Sequence, residues 1–107
     1  MKKLPAMLLG VACLFLGPAY GQSFHCPQYS CPESVICDTP MLSRLDDTMA
    51  GLYYQIRGMA SKPAAGILLR NQRAWLDLRN SCGCNATCLE SAYAKRIDAF
   101  RNVIGSE

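Results

Sequence analysis

The chain has 107 residues, with 11 Lys or Arg against 8 Asp or Glu, and two lysines in the first three residues contribute to its formal net charge of +3. A nucleic-acid-binding domain would concentrate Lys and Arg on one face, and the nearly neutral remainder of this sequence has no such concentration. Length and charge therefore indicate one small domain and exclude nucleic acid as the expected partner.

The N-terminal segment predicts an export signal. The two lysines precede an apolar run at residues 4–16, and Ala19 and Gly21 are the small residues expected before a cleavage site. The run is shorter than the ~20 apolar residues of a membrane-spanning helix. We expect residues 1–21 to be a signal peptide and residues 22–107 to be a single periplasmic or secreted domain without a membrane span.

The segment after the predicted cleavage site is expected to be irregular. Pro27 and Pro32 disfavour regular helix over most of residues 22–32. Residues 33–37 are expected to form one helical turn before the first long helix.

The first long helix is predicted to begin at Pro40, with Thr39 as its N-cap, because proline at the first helical position loses no hydrogen bond. It is expected to end near Ser61. Asp46 and Asp47 fall outside its apolar stripe. The stripe consists of residues at intervals of three and four: Leu42, Leu45, Met49, Leu52, Ile56 and Met59.

The second helix is predicted over residues 65–80, after a turn marked by Pro63 and Gly66. Its core-facing residues are expected to be Leu68, Leu69, Trp75, Leu76 and Leu78. Its outward residues are expected to be Arg70, Arg73, Asp77 and Arg79.

The third helix is predicted to begin at Asn85 or at Thr87, and the second start would form a capping box with Glu90. Its apolar face comprises Leu89, Tyr93, Ile97, Phe100 and Ile104. The sequence therefore predicts an all-α fold, a small three-helix bundle stapled by disulfides and preceded by an irregular segment.

The cysteine pattern predicts the disulfides of this bundle. After Cys13, which lies in the predicted signal, the cysteines form one cluster before the first long helix and one where the second and third helices meet: Cys26, Cys31, Cys37, Cys82, Cys84 and Cys88. Exported proteins retain disulfides, and these spacings differ from the paired C-x2-C pattern of zinc sites. We expect disulfides, with neither metal nor cofactor, and the six residues leave 15 connectivities open.

Several single residues suggest chemistry, but structural roles explain them better. Trp75 lies at helical spacing from apolar residues and is expected in the core. Of the adjacent Tyr53 and Tyr54, one is expected to pack and the other to be exposed. His25 has no serine or carboxylate pattern around it. We find no catalytic constellation and expect no enzymatic activity.

Short sequence blocks across the chain resemble the lysozyme-inhibitor LprI-like N-terminal domain, a family of small, mostly helical, exported bacterial domains. The blocks are SFHC at 23–26, VICD at 35–38, Leu42 with LD at 45–46, QRAWL at 72–76, Arg79 with CG at 82–83, CL at 88–89, Tyr93 and RI at 96–97. Together they span nearly the whole predicted mature chain.

The resemblance also implies a disulfide pairing. Members of the family usually have four cysteines, and these match Cys26 with Cys37 and Cys82 with Cys88. The two remaining residues, Cys31 and Cys84, are an addition in this chain and would form a third bridge between the clusters. Members of the family are secreted or lipid-anchored, and this sequence departs from the anchored members because it shows no sign of lipidation.

Three functions follow as hypotheses. The leading one is a non-enzymatic binding module that inhibits lysozyme-type glycosidases, since the family is named after a mycobacterial lipoprotein that inhibits lysozyme. The second is a thiol–disulfide enzyme that uses Cys82 and Cys84 before a helix N-terminus. The third is a structural envelope protein without a single ligand. An inhibitor of a basic lysozyme is expected to present an acidic face, and the sequence contains no dense acidic run.

Overall fold

The computed structural model describes residues 24, 26 and 30–106, and in these ranges the chain forms four helices and no strand. The helices are α1 (Cys31–Asp38), α2 (Pro40–Met59), α3 (Lys62–Asn80) and α4 (Ala86–Gly105). The all-α prediction is confirmed, although the number of helices is four and not three. The predicted signal peptide, with Cys13, and His25 lie outside the described residues.

Helix α1 is longer than the single turn expected at residues 33–37, because it also includes Cys31 and Pro32, which the sequence analysis placed in the irregular segment. It begins at Cys31, and Pro32 occupies its first turn, where the missing N–H loses no helical hydrogen bond. The hydroxyl of Ser30 donates to Glu33 Oε1 at 2.7 Å, and the acid lies near the positive end of the helix dipole. The prediction was wrong for Cys31 and Pro32, because a proline is compatible with the first turn of a helix.

Helix α2 begins at Pro40, as predicted, and ends at Met59, two residues before the predicted end. The predicted stripe is only partly correct, since Leu45 and Leu52 are half-buried and Met59 is exposed. Asp46 is fully buried, although the sequence placed it outside the stripe. The buried residues of α2 are Leu42, Asp46, Met49, Ala50, Tyr53 and Ile56.

Helix α3 begins at Lys62, three residues before the predicted start. Pro63 lies in its first turn, and Ser61 caps the helix by accepting the Ala64 N–H at 3.3 Å. The predicted turn is therefore confined to the two residues that separate α2 from α3. Proline again marks the beginning of a helix, where its fixed φ is favourable.

The face that α3 buries differs from the predicted face. Its buried residues are Gln72, Trp75 and Arg79, whereas Leu69 and Leu78 are 41% and 59% exposed. Trp75 is in the core, as predicted, with its ring edge-on to Tyr93 at 5.2 Å between centroids. The inward position near the end of α3 belongs to Arg79, so Leu78 next to it points outward.

Helix α4 begins at Ala86, so the first of the two predicted starts is correct. The Asn85 side chain is the N-cap and accepts the Cys88 N–H at 2.9 Å, whereas Thr87 lies inside the helix and not at a capping box. The buried residues of α4 are Leu89, Ala92, Tyr93, Ile97 and Phe100. The predicted apolar face is confirmed except for Ile104, which is half-buried.

The core lies mainly between α2 and α4, which pack together most extensively, while α1 covers one end and α3 lies along one side. None of the helices in the described ranges is both long and apolar enough to cross a bilayer. Tyr53 is buried and Tyr54 is 60% exposed, as the sequence predicts for the adjacent pair.

Two leucine variants test which faces of α3 and α4 are buried. Leu89→Ala removes a side chain with no exposed surface and is expected to lower the free energy of unfolding by about 3 kcal/mol. Leu78→Ala, on the exposed face of α3, is expected to change it by less than about 0.5 kcal/mol. Urea unfolding of the oxidised variants measures both values, and equal losses would contradict the orientation of α3.

Candidate functional site

Three disulfides join α1, the α3–α4 connection and the start of α4. Cys26 pairs with Cys37, Cys82 with Cys88, and Cys31 with Cys84, with Cα–Cα distances of 5.7, 5.6 and 5.2 Å. These are the pairs that the family resemblance implies. The bridge from Cys31 to Cys84 spans 53 positions and connects two regions that the other bridges leave unlinked.

The connection between α3 and α4 is held in a defined shape. Gly83 has a φ of 60°, a left-handed conformation that other residues adopt at a cost. Cys82, which precedes it, and Cys84, which follows it, belong to different bridges. These two cysteines therefore do not form the single redox pair that the thiol–disulfide hypothesis requires.

A buried arginine lies beneath these bridges. Arg79 is 1% exposed, although the sequence predicted an outward side chain. Its Nη2 lies 3.4 Å from Glu33 Oε2 of α1, and its Nη1 donates to Tyr93 Oη of α4 at 3.2 Å. The guanidinium also contacts the Phe24 ring, 5.2 Å from its centroid. One cation thus connects three helices and the N-terminal segment.

The contacts of Arg79 and Tyr93 continue to a buried acid, Asp46 of α2. Tyr93 Oη donates to Asp46 Oδ1 at 2.7 Å, and the same oxygen lies 4.0 Å from Arg79 Nη1. Burial, followed by the nearby Asp46 carboxylate, raises the pKa of Tyr93 far above its ordinary value. Asp46 and Tyr93 therefore hold their hydrogen bond with the phenol neutral, and the network has a structural role.

A second carboxylate, Asp47, lies partly buried next to Asp46. Its Oδ1 is buried and accepts no hydrogen bond within the described ranges. Burial, and then the Asp46 charge, raises the pKa of Asp47. The raised pKa means that the charged form destabilises the folded chain at neutral pH, and protonation removes this effect as the pH falls through the folded-state pKa.

We therefore expect Asp47→Asn to stabilise the domain at about pH 7 by less than about 1 kcal/mol, because the side chain is only partly buried. The difference from wild type should be smaller at about pH 4 than at about pH 7, because the raised pKa lets the native carboxyl take up its proton before an unperturbed aspartate would. Urea unfolding at the two pH values measures this trend. A variant less stable than wild type at neutral pH would contradict it.

We define the clamped end as residues 30–43 and 74–94, the part of the bundle around the three bridges. Its acids are exposed at Asp38, Asp77 and Glu90 and half-buried at Glu33. Arg79, which is buried, is the only Lys or Arg within these ranges, and the exposed Arg44 follows directly in α2. The acids come from three helices, α1, α3 and α4, so no acidic run marks them in the sequence. The clamped end nevertheless presents an acidic surface.

The opposite end has the reverse charge. We define the far end as residues 50–73 and 95–106, where Asp98 is the only acid among the described residues. Its cations are Arg57, Lys62, Arg70, Arg73, Lys95, Arg96 and Arg101. Antiparallel packing of α2, α3 and α4 thus separates charge along a chain that is close to neutral after its first residues.

No family model, curated protein or solved structure matches this chain. Most of the described residues that carry the family resemblance are buried or half-buried, and the acids Asp77 and Glu90 lie outside those blocks. The buried ones are Ile36, Leu42, Asp46, Gln72, Trp75, Arg79, Leu89, Tyr93 and Ile97. The resemblance therefore concerns mainly the interior of the fold.

Among the described residues, no group of three His, Cys, Asp or Glu side chains could hold a metal ion. All six predicted cysteines are in disulfides: five lie within the clamped end, and Cys26 is joined to it by its bridge to Cys37. The roles of Glu33, Asp46 and Arg79 were not predicted from the sequence. Asp46 and Arg79 do lie next to predicted core positions, Leu45 and Leu78, and a one-residue change of helical phase would have placed them inside.

Proposed function

We propose that this chain is an exported, non-enzymatic binding module that inhibits lysozyme-type glycosidases through its clamped end. The observation that carries the proposal is the acidic surface assembled from Asp38, Asp77 and Glu90 around three disulfides. Lysozymes of many hosts are strongly basic proteins, and an acidic surface accelerates association with a basic partner.

Rigidity of the clamped end supports the same proposal. The α3–α4 connection exposes Cys84 and Asn85, and the bridge to Cys31 and the Asn85 cap fix its backbone. A lysozyme active site is a cleft that contains two carboxyl groups, and an inhibitor must obstruct it. A connection that is ordered before binding loses little conformational entropy when it enters such a cleft.

The experiment is a cell-wall lysis assay with several lysozyme types and increasing amounts of the oxidised, exported chain. We expect inhibition that weakens as salt is added, because exposed charges are screened. Full lysozyme activity at a large molar excess of the chain would refute inhibition.

A pair of triple variants tests the surface. Asp38→Asn with Asp77→Asn and Glu90→Gln should slow association about tenfold and flatten its salt dependence. The matched control, Lys62→Gln with Arg70→Gln and Arg101→Gln at the far end, should not slow it. Equal inhibition by both triple variants would show that the clamped end is not the contact surface.

A further inference from the structure

An apolar groove opens at the far end of the bundle, away from the disulfides. It has a volume of about 300 Å³ and lies between the end of α2, the first half of α3 and the second half of α4. Its apolar lining includes Ile56, Ala64, Ile67, Leu68, Phe100 and Val103. Ile67 and Val103 are 60% and 45% exposed, so the lining is open to solvent.

Arg96 is the only charged residue in this lining. Its Nη2 and Nε donate to Gln72 Oε1 at 2.7 and 3.1 Å, and its Nη1 donates to Asn71 Oδ1 at 2.6 Å. Its guanidinium carbon lies 4.3 Å from the centroid of the Phe100 ring. All these partners are neutral, and the ion pairs found among the described residues belong to Arg79.

The Arg96 guanidinium retains donors for a ligand. An arginine has five N–H groups, and the contacts to Gln72 and Asn71 use three of them. A carboxylate accepts hydrogen bonds from a guanidinium readily, and these charge-assisted bonds are stronger than neutral ones. A half-buried cation with two remaining donors beside an apolar groove is suited to an anionic group attached to an apolar chain.

We propose that the far-end groove binds a monoanionic amphiphile, with its alkyl chain along the apolar lining and its carboxylate at Arg96. The lining of the groove runs from Ala64 to Asn71 along α3 and from Arg96 to Val103 along α4, about 10 Å on each helix, so an alkyl chain of several carbons can lie along it. Apolar burial and charge favour the same ligand, since the far end has seven cations and one acid. This site is separate from the proposed inhibitory surface.

Dodecanoate, below its micelle concentration, is the probe. Trp75 is the single tryptophan, and the Arg96 guanidinium carbon lies 5.7 Å from the centroid of its ring, so its fluorescence reports changes at Arg96. We expect a saturable change with dodecanoate and about tenfold weaker binding of dodecyltrimethylammonium, which has the same chain and the opposite charge. Acetate, which lacks the chain, should not saturate the signal.

Two alanines of α3 provide matched variants. Ala64→Phe fills the groove and is expected to weaken dodecanoate binding about tenfold or more, since the alkyl chain loses its apolar surface. Ala74→Phe introduces the same ring at another exposed alanine outside the lining and should bind as wild type. Arg96→Met should remove the preference for the anionic head group, and circular dichroism verifies that each variant is folded.

Three results would overturn the proposal. They are equal affinity for the anionic and cationic amphiphiles, unchanged dodecanoate binding by Ala64→Phe, and no saturable binding of dodecanoate. A sedimentation assay with phosphatidylglycerol vesicles distinguishes binding of a monomeric amphiphile from binding to a membrane surface. If the chain binds these vesicles and fails to bind monomeric dodecanoate, its far end is a membrane-surface contact, and the proposed acyl site is excluded.

Discussion

Arg79→Ala is expected to lower the free energy of unfolding by about 3 to 5 kcal/mol, because it removes one partner of a buried ion pair. Asp46 has no exposed surface and would remain buried without that guanidinium. Glu33 and Tyr93, on two other helices, would lose the same partner. Chemical denaturation of the oxidised protein measures the loss.

Arg73→Ala is the matched control, since this arginine is an exposed residue of the same helix. Its effect is expected to stay within about 0.5 kcal/mol. Arg79→Lys should lie between the two, because lysine keeps the charge but cannot reproduce the planar set of donors that reaches Glu33, Asn80 and Tyr93. An Arg79→Ala variant as stable as the Arg73 control would show that the cation is not needed for packing.

Replacing both Cys31 and Cys84 by serine is expected to lower the free energy of unfolding by about 4 kcal/mol. The bridge closes a loop across 53 positions, and its removal restores the entropy of that loop to the unfolded chain. Thermal melts should show a clear fall in Tm while the variant still folds, because the other two bridges and the core remain.

Removal of the Cys82–Cys88 bridge is the control. That bridge spans only six positions, so the same loop-closure relation assigns it about 2 kcal/mol. Single replacements at Cys31 or Cys84 should in addition form dimers on a non-reducing gel, since each leaves one unpaired thiol. Peptide mapping that links Cys31 to Cys26 or to Cys37 would contradict the pairing itself.

The sequence predicted the helical class and the long helices because apolar spacing and N-caps are local signals. Thr39 with Pro40 and Asn85 both mark helix starts in the structure. Pro32 and Pro63 were misinterpreted because a proline is compatible with the first turn of a helix as well as with a turn between helices. The two cases differ in whether the residue before the proline is the N-cap of a helix or part of a turn, and this is visible only in the fold.

The polar interior was not predictable from hydrophobic spacing. Asp46 and Arg79 are charged and lie 33 positions apart, and their burial depends on polar partners such as each other and Tyr93, which hydrophobic spacing does not reveal. The acidic surface was missed for a related reason. Asp38, Asp77 and Glu90 are isolated in the sequence, and only the antiparallel packing and the bridges gather them at one end.

The uneven burial of α3 determines where this domain opens first. No residue among its first ten, Lys62–Asn71, is buried, whereas Gln72, Trp75 and Arg79 anchor its second half next to the bridges. Amide hydrogen exchange should therefore be fast in the first half of α3 and slow in the second, since local opening is easiest where few side chains are buried. The first half of α3 is also one wall of the far-end groove, so that wall can move aside while the α2–α4 pair stays folded.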